Sequence, residues 1–283
     1  MIRPLPPLFI IGSPIGHSLS PLLHNAALHQ LGIPLSYEAI EIRMDELQDL
    51  IREVRLSNVV GFNVTIPHKE TIIPLLDKFD ESARRIGAVN TVVKDDRGLI
   101  GYNTDIDGVE QTLAPYRSSI MRTSALLIGA GGAARALVYV LKHSFGVLKF
   151  SLATRSVKKA ESLISDLEIE NAEIIPWEEF RQLRSHNAKL MINATPLGMH
   201  PRVDESPLGS SFRFTPNQIA FDVVYRPEKP LFLRHAERNG SSIITGLPML
   251  LHQAVASFKL WTGKEMPLSH ATEVLLHTLS KIE

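Results

Sequence analysis

Apolar and polar positions alternate between two periods along the chain. "LFIIG", Leu8–Gly12, is a short apolar run closed by glycine and predicts a buried strand. "SPLLHNAALHQLG" predicts a helix, with Ser20 as its N-cap, Pro21 in its first turn and Gly32 as its stop. "LSYEAIEI" alternates with period two, as a half-buried strand does. In "MDELQDLIREV", Leu47, Leu50, Ile51 and Val54 fall on one helical face. "VVGFNVTI" and "AVNTVV", Ala88–Val93, predict two more strands. From Ser124 the pattern starts again. "ALLIGAGGAARALVYVLK" reads as strand, glycine turn and helix, "KFSLATRS" as a strand and "VKKAESLISDL" as a helix. "KLMINAT" and "IAFDVVY" predict later strands on either side of a Pro/Gly/Ser-rich loop. "MLLHQAVASFKLW" and "SHATEVLLHTLSKI" predict closing helices. Such alternation predicts an α/β fold with mainly parallel sheets.

Composition narrows the function classes. At 283 residues the chain suits one large or two medium domains. Lys+Arg and Asp+Glu are both 30, so the basic excess or stripe that nucleic-acid binders usually show is not visible. With no cysteine, disulfides, Cys-ligated zinc and thiol nucleophiles are excluded. The opening "MIRPLPPLFIIGSPIGHS" has too short an apolar run, too closely flanked by proline, for a secretory signal. No stretch approaches the roughly 18 apolar residues of a membrane span. A cytoplasmic protein with neither a membrane nor a nucleic-acid partner is expected. The 11 histidines contain no H-x-x-x-H or H-E-x-x-H pair, so no metal site is expected. His24 and His29 are expected at solvent or capping a helix, His68 as a spacer, and Trp177 and Trp261 in packing.

Two stretches carry candidate chemistry. In "IGAGGAAR" the pattern is Gly129-x-Gly131-x-x-Ala134, with Gly132 extra, between a strand and a helix expected over Ala133–Leu141. The first glycine allows the tight turn, the second lets backbone approach a pyrophosphate, and the helix N-terminus offers its N–H groups to phosphate. A dinucleotide is therefore expected at Gly129, Gly131, Gly132 and Ala133. NAD sites place a carboxylate at the tip of the next strand. Here the tip is Thr154-Arg155-Ser156, followed by Lys158 and Lys159. Cations at a helix N-terminus oppose its dipole unless an anion binds there. The planar donor fork of Arg155 suits a 2′-phosphate, which favours NADP(H). The other stretch is "GFNVTIPHKE", a strand that ends in Asn63, Thr65 and Lys69. With Ser18, Ser20, Asn90, Thr91, Asn103 and Asp105 it forms a set of neutral hydrogen-bonding groups with one cation and one anion. That set suits a polyhydroxylated small molecule, and a Lys beside an Asp can carry the proton that hydride transfer at an alcohol or ketone needs.

"SPIGHSLSP", "GFNVTIPHK", "GAVNT", "GYNTD", "GAGGAAR", "NATPLGM", "DVVY" and "GLPMLLHQA" together resemble the ordered motif set of the shikimate dehydrogenase family, over nearly the whole chain. The resemblance implies a substrate domain, 1–104 plus 247–283, and an inserted Rossmann-type NADP-binding domain, 105–246, with a cleft between them. It implies NADPH-dependent, reversible reduction of 3-dehydroshikimate to shikimate in aromatic amino-acid biosynthesis, by a monomer or homodimer. Lys69 and Asp105 would be the catalytic pair, and Ser18, Ser20, Asn63, Thr65, Asn90 and Gln253 would hold the substrate, with Tyr225 nearby. Asn193, Thr195, Met199, Gly246 and Met249 would line the cofactor side.

The family's usual Asn-Arg-Thr tip is Thr154-Arg155-Ser156 here, and Pro248 stands where the family often has glycine. Ser20 matches the shikimate-type pattern rather than the threonine of quinate users. The alternatives weighed are a quinate or broader-substrate relative, a non-catalytic dinucleotide sensor, and a methyltransferase. The sensor has no use for Lys69 and Asp105. The methyltransferase lacks its ribose-binding carboxylate near "ATRS".

Overall fold

The two periods of the sequence become two six-stranded sheets, each in its own part of the chain. The structure is a computed structural model, and it describes residues 4–279. One unit runs to Thr104 and resumes at Leu251; the other is Asp105–Leu250.

The first unit opens with β1 (Leu8–Gly12), α1 (Ser20–Gln30), β2 (Tyr37–Glu41), α2 (Leu47–Leu56) and β3 (Gly61–Val64). β4 (Lys78–Phe79), α3 (Glu81–Ile86), β5 (Thr91–Asp95) and β6 (Gly98–Tyr102) complete its sheet, in the order β2-β1-β3-β5-β6-β4. Its pairs are parallel except those of β5, which runs against β3 and β6. Period two is visible in the core. Phe9 and Ile11 face a cluster that includes the α2 residues Leu47, Leu50, Ile51 and Val54. Leu8 and Ile10 face the opposite cluster, with Leu23 and Ala27 of α1.

The second unit begins with α4 (Asp105–Leu113), α5 (Arg117–Ile120), β7 (Ser124–Ile128), α6 (Gly132–His143), β8 (Lys149–Thr154) and α7 (Val157–Asp166). It continues through β9 (Ala172–Pro176), α8 (Trp177–Gln182), β10 (Leu190–Asn193), β11 (Ile219–Asp222), α9 (Leu231–Arg238) and β12 (Ser242–Ile244). The sheet is wholly parallel, ordered β12-β11-β10-β7-β8-β9. From β7 the chain first builds outward through β8 and β9, then returns to build β10, β11 and β12 on the other side. This is the doubly wound dinucleotide-binding order, and its topological switch point lies between β7 and β10. Ala125 and Leu127 pack with α6, while Leu126 and Ile128 pack with Phe232, Leu233 and Ala236 of α9. α10 (Leu247–Thr262) contains the unit boundary, and α11 (Leu268–Leu279) follows. The last predicted helical residues, Ser280–Ile282, lie outside the described residues. Among the described residues no helix is long and apolar enough to cross a membrane.

Three local expectations change. Ser20 is the first residue of α1 rather than its cap: Leu19 precedes the helix with no side-chain bond, and the Ser20 N–H donates to Ser18 Oγ at 3.3 Å. The strand predicted from Ala88 begins at Thr91, because the backbone before it bonds to the turn at Lys69 and to the last residues of β3 and β6. There Val89 N–H donates to Lys69 O, Asn90 N–H to Tyr102 O, and Asn90 O accepts from Val64 N–H. The helix after the glycine turn starts at Gly132 and runs on to His143.

Candidate active site

In the first unit, antiparallel β5 begins where β3 and β6 end. Thr91 pairs with Asn63 on one side and Tyr102 on the other, so Asn63, Asn90, Thr91, Asn103 and Thr104 gather at one edge of the sheet. β3 continues into a turn pinned by three backbone bonds: Thr65 N–H to Ile11 O, Ser13 N–H to Ile66 O, and His68 N–H to Thr65 O. A Cβ on Gly12 would fall 2.5 Å from Thr65 Cγ2 and 2.9 Å from Ile66 O, so glycine lets this turn lie against β1. Lys69 follows, half-buried, with its carbonyl held by Val89 N–H at 2.8 Å. His68 is buried and donates from Nε2 to Ile42 O at 2.6 Å, which fixes the residue before Lys69.

The two asparagines are engaged by the protein itself. Asn63 Oδ1 accepts from Tyr37 Oη at 2.6 Å, and its Nδ2 donates to Asn90 O, Thr91 Oγ1 and Ser257 Oγ at 3.0–3.1 Å. Asn90 Oδ1 accepts from Thr104 N–H at 2.7 Å, and its Nδ2 donates to Thr104 Oγ1 at 2.9 Å. Asn103 Nδ2 donates to Ala88 O at 2.8 Å. These bonds hold the residue immediately before Asp105, which is itself buried at the start of α4. Ser18 is half-buried and Ser20 buried, at the start of α1; Gln253 is buried on α10.

In the second unit, the cofactor candidates lie at the carboxyl edge of the parallel strands. Ala194 N–H donates to Ile128 O at 2.9 Å across the switch point, and Gly129 N–H donates to Ala153 O at 2.8 Å. Gly129 adopts φ +112, a conformation that favours glycine, and a Cβ there would press on Ala194 O at 3.1 Å. Gly131 is different: a Cβ there would meet nothing within 4 Å. It is the N-cap of α6, and no side chain caps the helix there. Ala133 sits in the first turn of α6, half-buried. Arg135, one turn on, is buried and paired with Asp166 at 2.5 Å, which ties α6 to α7 and holds the Asp166 carboxyl below its ordinary range.

At the next strand tip the hydroxyls turn inward. Thr154 Oγ1 accepts from Ser156 N–H at 3.1 Å, and Ser156 Oγ caps α7 by accepting from Lys159 N–H at 3.3 Å. Arg155, Lys158 and Lys159 are exposed. The "NATPLGM" loop is built on Asn193, whose Oδ1 accepts from Thr195 N–H and Oγ1 at 3.1 and 2.7 Å. Its Nδ2 donates to both Asp222 carboxylate oxygens at 3.1 Å and to Leu197 O at 3.2 Å. Asp222, fully buried, also accepts from Val224 N–H at 2.9 Å. Burial pushes its pKa up to about 8 despite these bonds. A Cβ on Gly246 would fall 2.6 Å from Val223 O, so glycine is needed for the close pass beside "DVVY". Tyr225 and Met199 are half-buried, and Met249 is packed in the core of this unit.

A family profile described as shikimate dehydrogenase substrate binding domain matches residues 10–92, and one described as shikimate 5'-dehydrogenase C-terminal domain matches 246–276. A shikimate dehydrogenase (NADP(+)) of Desulforamulus reducens is 40% identical over 278 residues, covering 96% of this chain and 95% of its own. The chain belongs to the shikimate dehydrogenase family. Its fold agrees with solved members. A shikimate dehydrogenase in complex with NADP+ superposes with a TM-score of 0.84 at 32% identity, covering 96% of this chain and 94% of that one. The Thermus thermophilus enzyme in complex with NADP(H) and shikimate gives 0.81 at 36% identity, covering 95% and 98%.

"GFNVTIPHK", "GAVNT" and "GYNTD" thus fall on the polar edge of one sheet, "GAGGAAR" and "NATPLGM" at the switch point of the other, and "SPIGHSLSP" and "GLPMLLHQA" at the starts of α1 and α10. The sequence reading did not single out Tyr37, Ser257 or Asp222. Ser257 had one available signal: it is a polar residue on the otherwise apolar face of "QAVASFKLW", one turn from Gln253. His24, expected at solvent or in a cap, is fully buried. It stacks on Tyr37 at 4.5 Å and lies 5.3 Å from Trp261. Nothing in the flanking "LLHNA" marked it as buried; aromatic partners distant in sequence decided its place.

Proposed function

We propose that this chain interconverts 3-dehydroshikimate and shikimate with NADP(H), a step of aromatic amino-acid biosynthesis, with Lys69 and Asp105 handling the proton. The observation that carries the reading is the convergence of the "NVTIPHK", "GAVNT" and "GYNTD" motifs on one sheet edge, with Lys69 held in the turn beyond it.

The cofactor fits the second unit. Open space at Gly131 and the uncapped start of α6 suit a pyrophosphate. The exposed Arg155 and Lys158 suit the 2′-phosphate, with Thr154 and Ser156 shaping the turn that presents them. Asn193 and Thr195 frame the adjoining loop, and Gly246 allows the close backbone pass next to Tyr225. The chemistry that NADP(H) supplies when bound is hydride exchange at one substrate carbon.

The chain's own residues do the rest. In reduction, the substrate oxygen takes a proton from the Lys69 ammonium; in oxidation, neutral Lys69 takes it back. Asp105 orients the lysine and stabilises its charged form. Ser18, Ser20, Thr65 and Gln253 receive the substrate's hydroxyls and carboxylate, while Asn63 and Asn90 fix the frame around them. Lys69→Ala is expected to lower kcat by at least about a hundredfold while NADPH affinity stays unchanged, measured by steady-state rates and fluorescence titration. A loss confined to KM would leave Lys69 a binding role only.

A further inference from the structure

Three buried hydroxyls meet beneath the polar sheet edge. Thr91 Oγ1 and Ser257 Oγ are 2.9 Å apart, Thr104 Oγ1 and Ser257 Oγ 3.0 Å, and Thr91 Oγ1 and Thr104 Oγ1 3.1 Å. Asn63 Nδ2 donates into this triangle, and Asn90 Oδ1 accepts from it. Ser257 alone of the three comes from α10, and its Oγ also lies 3.0 Å from the carbonyl of Gln253, one turn back. Around Tyr37, Asn63 and the triangle, each donor therefore has an acceptor and none of these side chains needs water.

A serine in this place is costly unless its bonds are all made, since alanine would fill nearly the same volume without a polar atom to desolvate. A fully satisfied buried network does something alanine would not: it selects one arrangement of the elements that contribute to it. Here those elements are β3, β5, the segment after β6 that leads into Asp105, and the helix that carries Gln253.

We infer that Ser257 is a positioning residue for the reaction: its hydroxyl locks α10 and Thr104 to the strand ends, and thereby sets Gln253 and the start of α4. This rests on the assignment of Asp105 and Gln253 to the active site. Tyr37 belongs to the same device from the other side, because its hydroxyl holds Asn63 Oδ1 and orients the amide that bonds Ser257.

The test uses the full chain, with rates of NADP reduction by shikimate, NADPH affinity by fluorescence titration and the urea midpoint measured for each variant. Ser257→Ala is expected to lower kcat about tenfold and raise the shikimate KM several-fold, with NADPH affinity unchanged. Tyr37→Phe is expected to act in the same direction. The double variant should be no worse than the more affected single one, because both act through Asn63. A lowered urea midpoint with kcat and KM within about twofold of the parent would overturn the inference, leaving the hydroxyl a stabilising role only. If Ser257→Ala fails to fold, Tyr37→Phe decides by the same criteria. Lys69→Ala, run alongside, separates the two levels. Unchanged kcat there removes the active-site assignment; a collapse there with full activity in Ser257→Ala removes only the positioning role.

Discussion

Asp222 and His24 are buried ionisable groups whose neutral forms the fold prefers, and they tie stability to pH in opposite directions. Burial raises the Asp222 carboxyl from 3.8 to about 8. Between those values the native state holds a proton that the unfolded chain releases, so stability falls as pH rises through this window. Asp222→Asn keeps the shape and removes the titration. It is expected to flatten the decline of the urea midpoint between about pH 5 and pH 8; an unchanged slope would show that another group causes it. Burial lowers His24 from 6.5 to about 3. Both ring nitrogens are buried without a hydrogen-bond partner, and the ring lies among Tyr37, Phe258 and Trp261. The unfolded chain takes up a proton first as pH falls below 6.5, so stability is lost on the acid side. His24→Phe is expected to flatten that acid limb, and an equal acid slope in the variant would contradict the assignment. Neither residue was legible as special in the sequence. Asp222 stands in "DVVY" with nothing to mark it, and His24 carries the helical period of α1 without showing which aromatic rings close over it.

Strands and helices were legible where one face is apolar and the other polar. α2 presents Leu47, Leu50, Ile51 and Val54 to the core as their spacing requires, and β7 ends at the glycine turn. Legibility failed at element ends, where hydrogen bonds to distant segments decide. β5 starts late because Val89 and Asn90 bond to the turn at Lys69 and to the ends of β3 and β6, and Thr154 and Ser156 fold their hydroxyls into a local turn. That turn sharpens the expectation for cofactor choice, since it leaves Arg155 exposed at the strand tip. Arg155→Ala is expected to weaken NADPH by about tenfold or more and NADH by less than about threefold; equal losses would reject contact with the 2′-phosphate. The glycine turn makes a paired prediction. Gly129→Ala, at φ +112 and against Ala194, should lower stability. Gly131→Ala meets no protein atom and should leave the urea midpoint near that of the parent while weakening NADPH. A stability loss at Gly131 equal to that at Gly129 would assign both glycines to the turn alone.

Across the whole molecule, strand-helix alternation foretold an α/β chain with mainly parallel sheets, and the doubly wound order of the second sheet agrees. The antiparallel entry of β5 was not foretold, because alternation carries no strand direction. Yet it is β5 that brings Asn90 and Thr91 to the edge where β3 and β6 end. The motifs "GFNVTIPHK", "GAVNT" and "GYNTD" meet at that edge, and "GAGGAAR" and "NATPLGM" follow β7 and β10 at the switch point. What sequence spacing could not supply was the packing behind the motifs, where Tyr37, Thr104 and Ser257 meet from segments far apart in the chain. The proposed reaction is tested most directly by the absorbance change at 340 nm when the purified protein meets shikimate with NADP, beside quinate with NAD. Rapid turnover with shikimate and NADP is expected, and little with quinate and NAD. Activity chiefly with quinate or NAD, or none in any combination while NADPH still binds, would contradict it.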